Sequence, residues 1–237
     1  MAAAKPEKKR GRQRKTPYAA LKTFEKEAWE RGIRYVAGVD EVGRGPLAGP
    51  VVAAAVIMPA DVHIAHVTDS KKLWPEEREA LAEEIKRKAV AWAIGLVPAP
   101  MIDACNILRA THLAMREALR ALDPAPELIL VDGWALPDIE FPQQNIIGGD
   151  GRSFSIAAAS IVAKVARDRI MCHLDTLYPQ YGFAGHKGYS CVPHFRAIEE
   201  HGPCPVHRMS FSPFTAGAQE AFDFDDEDEE TGTEVPV

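Results

Sequence analysis

Asp40 and Glu41 stand side by side after a short apolar run, Tyr35-Val36-Ala37-Gly38-Val39, and are followed by Val42-Gly43-Arg44-Gly45-Pro46. Adjacent carboxylates repel and raise each other's pKa, so the pair needs a reason. A strand sends neighbouring side chains to opposite faces. The two acids are therefore expected to share one centre only if the strand ends there and the backbone turns. Gly43 and Gly45 permit that turn and let backbone N–H groups approach a ligand closely. Arg44, between them, suits a phosphate. Carboxylates beside a phosphate would repel it unless divalent metal ions lie between, which is the grammar of metal-assisted chemistry on a phosphodiester.

Further candidates lie downstream. Asp132 closes the apolar run Leu128-Ile129-Leu130-Val131 and precedes Gly133. By itself it reads as a turn residue. Beside Asp40 and Glu41 on a neighbouring strand it reads as a metal ligand, because acids at the carboxyl ends of central strands commonly form sites in α/β sheets. Asp150, in Gly148-Gly149-Asp150-Gly151, reads equally as an Asx-turn at a helix entry. Asp168, between Arg167 and Arg169, competes with it but fits a packing or solvated ion pair better. Tyr189 alone would be a half-buried tyrosine with a satisfied hydroxyl. The pair Lys71-Lys72 alone would be solvated surface. Ser160 and Lys164 share a helix that could support a site. His186, Cys191, His194, His201, Cys204 and His207 follow no standard zinc spacing. His207-Arg208 is expected to meet phosphate or solvent.

The elements that must position these residues alternate in type. A short helix is expected over 23–31, a strand over 35–40, and a second, β-branched strand over 51–58 as its hairpin partner. Pro75 opens a helix to 91, with acids in its first turn and Leu81, Ile85 and Val90 at helical spacing. A strand follows at 92–97, then helix over 101–122 in two pieces. The run 128–131 reads as a strand buried on both faces, and 145–147 as another. A long Ala-rich helix occupies 154–177 and a shorter one 193–200. Strands alternating with helices indicate an α/β domain.

Asp40-Glu41-Val42-Gly43-Arg44-Gly45-Pro46-Leu47-Ala48-Gly49-Pro50 resembles a motif of bacterial ribonuclease HII, the type 2 ribonuclease H. The resemblance continues in Asp69-Ser70-Lys71-Lys72-Leu73, Val131-Asp132-Gly133, Gly149-Asp150, the segment 155–164 and Gly185-His186-Lys187-Gly188-Tyr189, in the family's order over roughly residues 34 to 215. It implies a ribonuclease H-like mixed β-sheet flanked by helices, with a small C-terminal helical part. It also implies that Asp40, Glu41, Asp132 and Asp150 are catalytic and bind two Mg²⁺ or Mn²⁺ ions. Asp69 and Asp103 also have counterparts in the family, but both read as structural. The implied activity is cleavage of the RNA strand of RNA–DNA hybrids, and 5′ of single ribonucleotides in duplex DNA, leaving 3′-OH and 5′-phosphate ends. Gly43, Arg44 and Gly45 would contact the ribose 2′-OH through their backbone, Tyr189 would stack on the following deoxyribose, and Lys71 and Lys72 would contact backbone phosphate. Oxygen-only ligands suit Mg²⁺, and the 2′-OH is what separates RNA from DNA. Rival readings are a junction resolvase or DNA nuclease of the same fold, a non-catalytic hybrid-binding protein, and a metal-free acid–base hydrolase needing only two carboxylates.

The 237-residue chain carries a net charge of −6, unevenly spread: +6 over residues 1–15, −8 over 223–237 and −4 elsewhere. A nuclease tolerates a negative balance if its basic groups are local and metal ions offset the acidic centre. Residues 1–16 are expected to be a disordered basic arm and 216–237 a disordered acidic tail around one catalytic domain, 17–215. Four cysteines without a CxxC pair are expected to be reduced thiols. No apolar stretch reaches membrane-spanning length and no secretory signal is visible. A cytoplasmic monomer whose partners are RNA–DNA hybrid and ribonucleotide-containing duplex DNA is expected.

Overall fold

A computed structural model describes residues 18–67 and 74–215. The basic arm, the acidic tail and Asp69, Lys71 and Lys72 lie outside the described residues. The helices are α1 (Tyr18–Leu21), α2 (Thr23–Glu30), α3 (Pro75–Lys88), α4 (Ala99–Cys105), α5 (Ile107–Arg120), α6 (Phe154–Leu177), α7 (Phe183–His186) and α8 (Val192–His201). The strands are β1 (Val36–Val42), β2 (Val51–Ile57), β3 (Ala91–Val97), β4 (Leu128–Asp132) and β5 (Gln143–Ile146).

The sequence of β2, Val-Val-Ala-Ala-Ala-Val-Ile, contains no polar residue and is buried throughout. Such a strand belongs inside a sheet covered on both faces. The five strands lie in the order β3-β2-β1-β4-β5. β1 pairs antiparallel with β2 and parallel with β4, so the sheet is mixed, as the resemblance implies. Alternation along β2 divides the core: Ala53, Ala55 and Ile57 face α5, whereas Ala54 and Val56 face α6 and α3. Both helices sit very close to the sheet. A Cβ on Gly38 of β1 would lie 2.1 Å from the Ser155 carbonyl carbon of α6, and one on Gly95 of β3 would lie 1.9 Å from the Ala114 oxygen of α5.

A third cluster joins Leu47 and Ala48, beyond β1, to Met171, Tyr181, Phe183 and Ile198. It ties the small C-terminal helical part to the segment that follows β1.

One expectation about β1 fails. The strand does not end at residue 40 but runs to Val42, because the ladder with β2 continues through Glu41↔Ala53 and Val42↔Val52. The pairing with β4 stops earlier, at Val39↔Val131. The elements expected over 23–31, 51–58, 101–122 and 154–177 all form, the long helix with the expected bounds and the 101–122 helix broken at Asn106. The helix expected over 75–91 stops at Lys88: Ala89 is extended, the Val90 N–H donates to Ile57 O, and residue 91 already belongs to β3. All four cysteines are free thiols, and no described helix is long and apolar enough to cross a membrane.

Candidate active site

Register places Asp40 and Asp132 side by side. Val39 pairs with Val131 on parallel strands, and both valines belong to the α5-facing core, so the next residue on each strand turns to the α6 face. There the Ser160 hydroxyl of α6 and the Glu41 backbone N–H both donate to the Asp40 carboxylate. Asp132 accepts the Gly149 N–H at 2.6 Å. That bond holds the 149–151 turn against the end of β4 and brings the chain at Asp150 beside it.

Glu41 remains in the ladder with β2, and its carboxylate lies close enough for its charge to act on both Asp40 and Asp132. Burial, followed by the charges of Glu41 and Asp132, drives the Asp40 pKa well above the usual carboxylate range. Burial also raises Glu41, against the pull of the Arg44 guanidinium 3.3 Å away. Two parallel strands thus present carboxylates whose repulsion no protein cation fully answers.

The donors in question are all hard oxygens, and their unanswered charge suits Mg²⁺ or Mn²⁺ rather than a softer metal. Among the described residues, no three His, Cys, Asp or Glu side chains already stand as a closed ligand set. This holds for the carboxylates and equally for the histidines and cysteines of the C-terminal part. Asp168 is engaged elsewhere: Lys164 donates to it at 2.6 Å and Arg78 of α3 at 3.4 Å. Asp103 accepts the backbone N–H groups of Met209 and Ser210, anchoring that segment.

The turn after β1 has two sides. Its carbonyls face inward, where those of Gly43, Arg44 and Gly49 accept from the Arg208 guanidinium. Among the described residues, no backbone hydrogen bond uses the N–H of Arg44 or Gly45. Gly43 is buried with φ +89°, and a Cβ there would lie 2.1 Å from Arg167 Nε. Gly45 is exposed, and a Cβ there would meet nothing within 4 Å. The two glycines therefore answer different demands, one internal and one external.

Tyr189 is 43% exposed, and its ring lies 5.9 Å from the Arg167 guanidinium carbon. A chain of histidines fixes its backbone. The Tyr189 carbonyl can only accept, so His194 Nδ1 donates to it at 2.9 Å. His194 Nε2 must then accept, at 3.1 Å, from His207 Nε2. That leaves His207 Nδ1 to accept the Cys204 N–H at 2.9 Å. Both rings are neutral in this scheme, and burial pushes each down to about 4.

The expectation that His207-Arg208 meets phosphate or solvent is wrong: both residues are buried and spend their donors on the protein. Arg167, Arg208 and Glu25 escaped sequence reasoning. Glu25 is buried in α2 and accepts the Ser153 hydroxyl and the Ser155 N–H, capping α6 beside the Asp150 turn. Glu25 sits among the polar residues of α2, Arg167 beside Asp168 and Arg169, and Arg208 outside any helix, so none carries a local signal of burial.

Residues 37–213 match the family model of ribonuclease HII. Ribonuclease HII of Geotalea daltonii is 57% identical over 182 residues, covering 77% of this chain and 84% of its own. That of Geobacillus kaustophilus is 55% identical over 193 residues, covering 81% and 74%. Among solved structures, ribonuclease H2 from Pyrococcus horikoshii superposes with a TM-score of 0.64 at 28% identity, covering 76% of this chain and 94% of its own.

Proposed function

The chain belongs to the ribonuclease HII family and is a nuclease of RNA–DNA hybrids; from that premise we propose that it also cuts 5′ of a single ribonucleotide in duplex DNA, with two divalent metal ions. The observation that carries this reading is the adjacency of two unlike surfaces. Asp40, two residues before the end of β1, stands beside Asp132 at the end of β4, and β1 leads directly into a turn whose outward side offers the N–H groups of Arg44 and Gly45.

Asp40, Glu41, Asp132 and Asp150 would hold Mg²⁺ or Mn²⁺. When bound there, such ions supply an activated water and neutralise charge on the leaving 3′ oxygen. The rest falls to the chain itself. Gly45, lacking a side chain, lets a ribose come close enough for the turn's N–H groups to bond its 2′-OH. Tyr189 offers an aromatic face to the sugar that follows. Arg44, half exposed and tethered to Glu41, supplies positive charge at the mouth of the site. Ser160 donates to Asp40 and fixes the direction of its carboxylate.

The test compares a duplex carrying one ribonucleotide with the same duplex in all-DNA form, with Mg²⁺ and with chelator. Cleavage is expected only of the ribonucleotide-containing strand and only with the cation. Equal cutting of all-DNA duplex would favour a resolvase-like nuclease, and activity under chelator would favour acid–base hydrolysis.

A further inference from the structure

Arg167 and Arg208 are the largest fully buried side chains among the described residues. Among the described residues, neither forms an ion pair with a carboxylate. A buried guanidinium is tolerated when its N–H groups are bonded, and here each is bonded to backbone carbonyls. The choice of carbonyls is informative. Arg208 Nε and one terminal nitrogen reach Gly49 O at 3.0 and 2.9 Å. That same nitrogen reaches Gly43 O at 2.6 Å, and the other reaches Arg44 O at 2.9 Å. Arg208 thus closes the two ends of the 43–49 turn upon each other. Arg167 Nε reaches Pro50 O at 3.0 Å and one terminal nitrogen reaches Ala48 O at 3.1 Å. Its other terminal nitrogen reaches Lys187 O at 3.0 Å, two residues before Tyr189, while its guanidinium lies beside the Tyr189 ring.

These bonds join four parts of the sequence that no single element connects: the turn after β1, the middle of α6, the 187–189 segment and the segment that carries Arg208. They meet where the proposed function places recognition of the sugar. A hydrogen-bond reader of one hydroxyl works only if its donors are held within a fraction of an ångström, and the turn itself contains three glycines, Gly43, Gly45 and Gly49, that would otherwise leave it loose.

We propose that Arg167 and Arg208 are positioning residues that lock the 43–50 turn and Tyr189 into one rigid reader of the sugar at the cleavage point. The discrimination is then set from inside the protein, by two guanidiniums that never touch the substrate. Arg208 sets the shape of the turn, and Arg167 sets its distance from Tyr189.

The proposal rests on the reading of this site as a ribonucleotide reader, so its test has a readout that does not need that reading. Arg208→Lys and Arg167→Lys keep the charge and lose the fork. Arg208→Gln and Arg167→Gln serve as second variants should a lysine not be tolerated. Backbone hydrogen exchange is measured on the full chain. Peptides covering 43–50 and 186–190 are expected to exchange at least about tenfold faster in either Arg167 variant, with β4 unchanged. Exchange in 43–50 alone is expected for the Arg208 variants. In parallel, cleavage of a single-ribonucleotide duplex is expected to fall about a hundredfold while Mn²⁺ affinity stays within about twofold, since a misplacement near 1 Å has that scale of effect. Unchanged exchange in both segments would overturn the clamp. Faster exchange with an unchanged preference for ribonucleotide over all-DNA duplex would overturn its role in sugar reading. A wild-type protein that ignores the ribonucleotide would refute the functional reading and with it that role, while the exchange data would still decide the clamp.

Discussion

Asp40 and Arg208 are both charged and both buried, within reach of the same turn, yet their treatment by the fold is opposite. Arg208 is bonded through all three of its nitrogens to carbonyls that have no other fixed partner among the described residues. Asp40 receives a hydroxyl and one N–H, but sits against two further carboxylates that oppose its ionisation. On the sugar side the protein completes its own bonding and fixes a shape. On the acid side it leaves negative charge for something else to neutralise. In the proposed function, the region that would bind a cation retains its electrostatic strain, whereas the region that would measure a hydroxyl has its freedom removed.

The largest effects should come from the strained side. Asp40→Asn and Asp132→Asn are expected to lower cleavage about a thousandfold or more, several kcal/mol of transition-state stabilisation. Asp40→Asn should at the same time raise the melting temperature of the metal-free protein at neutral pH. The sign follows from the raised pKa: the folded state favours protonated Asp40, so this contribution is present below the ordinary 3.8 and is lost as pH rises through the folded value. Asn stays neutral, so its advantage should be clear at pH 7.5 and fade toward pH 4. Melting curves at both pH values, paired with cleavage rates, check this. Near-full activity in either variant would remove these acids from the chemistry.

The fixed side should break by a different route. Gly43→Ala demands φ near +89° of an alanine and sets its Cβ against Arg167 and the Pro50 carbonyl. The expected loss of stability is about 1–3 kcal/mol, read by urea or thermal unfolding. A stable Gly43→Ala would mean that the turn is softer than its bonding suggests.

Acid should weaken the histidine chain behind Tyr189. His194 and His207 are held down to about 4 by burial, with the rings of His186, Tyr181 and Phe183 packed around them. Their contribution is present above the ordinary 6.5 and is lost as pH falls from there toward 4, because protonating either ring places two N–H groups face to face. This trend opposes that of Asp40. Melting temperatures of Asp40→Asn between pH 7 and 4 isolate it, and His207→Asn on that background should flatten the slope.

How much of this was visible in the sequence differs between the two sides. The acid pair, Asp132 at the end of an apolar run, and the helix over 154–177 announce themselves locally, through composition and periodicity. The end of β1 did not, since whether Asp40 and Glu41 stay in the ladder is decided by Ala53 and Ala54 of the partner strand. Arg208 was invisible for a stronger reason. Its partner Gly43 lies 165 residues away in the chain, and an Arg beside a His near a C-terminus looks like any surface residue. Long-range bonds from side chain to backbone leave no periodic trace.

The smallest effect on the fold is expected at Gly45, and that is what makes it the sharpest probe of the comparison. A Cβ at Gly45 meets nothing within 4 Å, and no positive φ is required there. Gly45→Ala should therefore change stability by no more than about 0.5 kcal/mol, like other unstrained surface substitutions. If the outward N–H groups of the turn bond a ribose hydroxyl, the added methyl stands where the sugar must approach. Cleavage of a single-ribonucleotide duplex should then fall about tenfold or more, by loss of a properly placed contact, with Mn²⁺ binding unaltered. Gly43→Ala and Gly45→Ala would thus separate cleanly, one failing in the melt and the other only in the assay. If Gly45→Ala cuts at the wild-type rate, the sugar does not approach this face of the turn, and reading of the hydroxyl must be sought around Tyr189 instead.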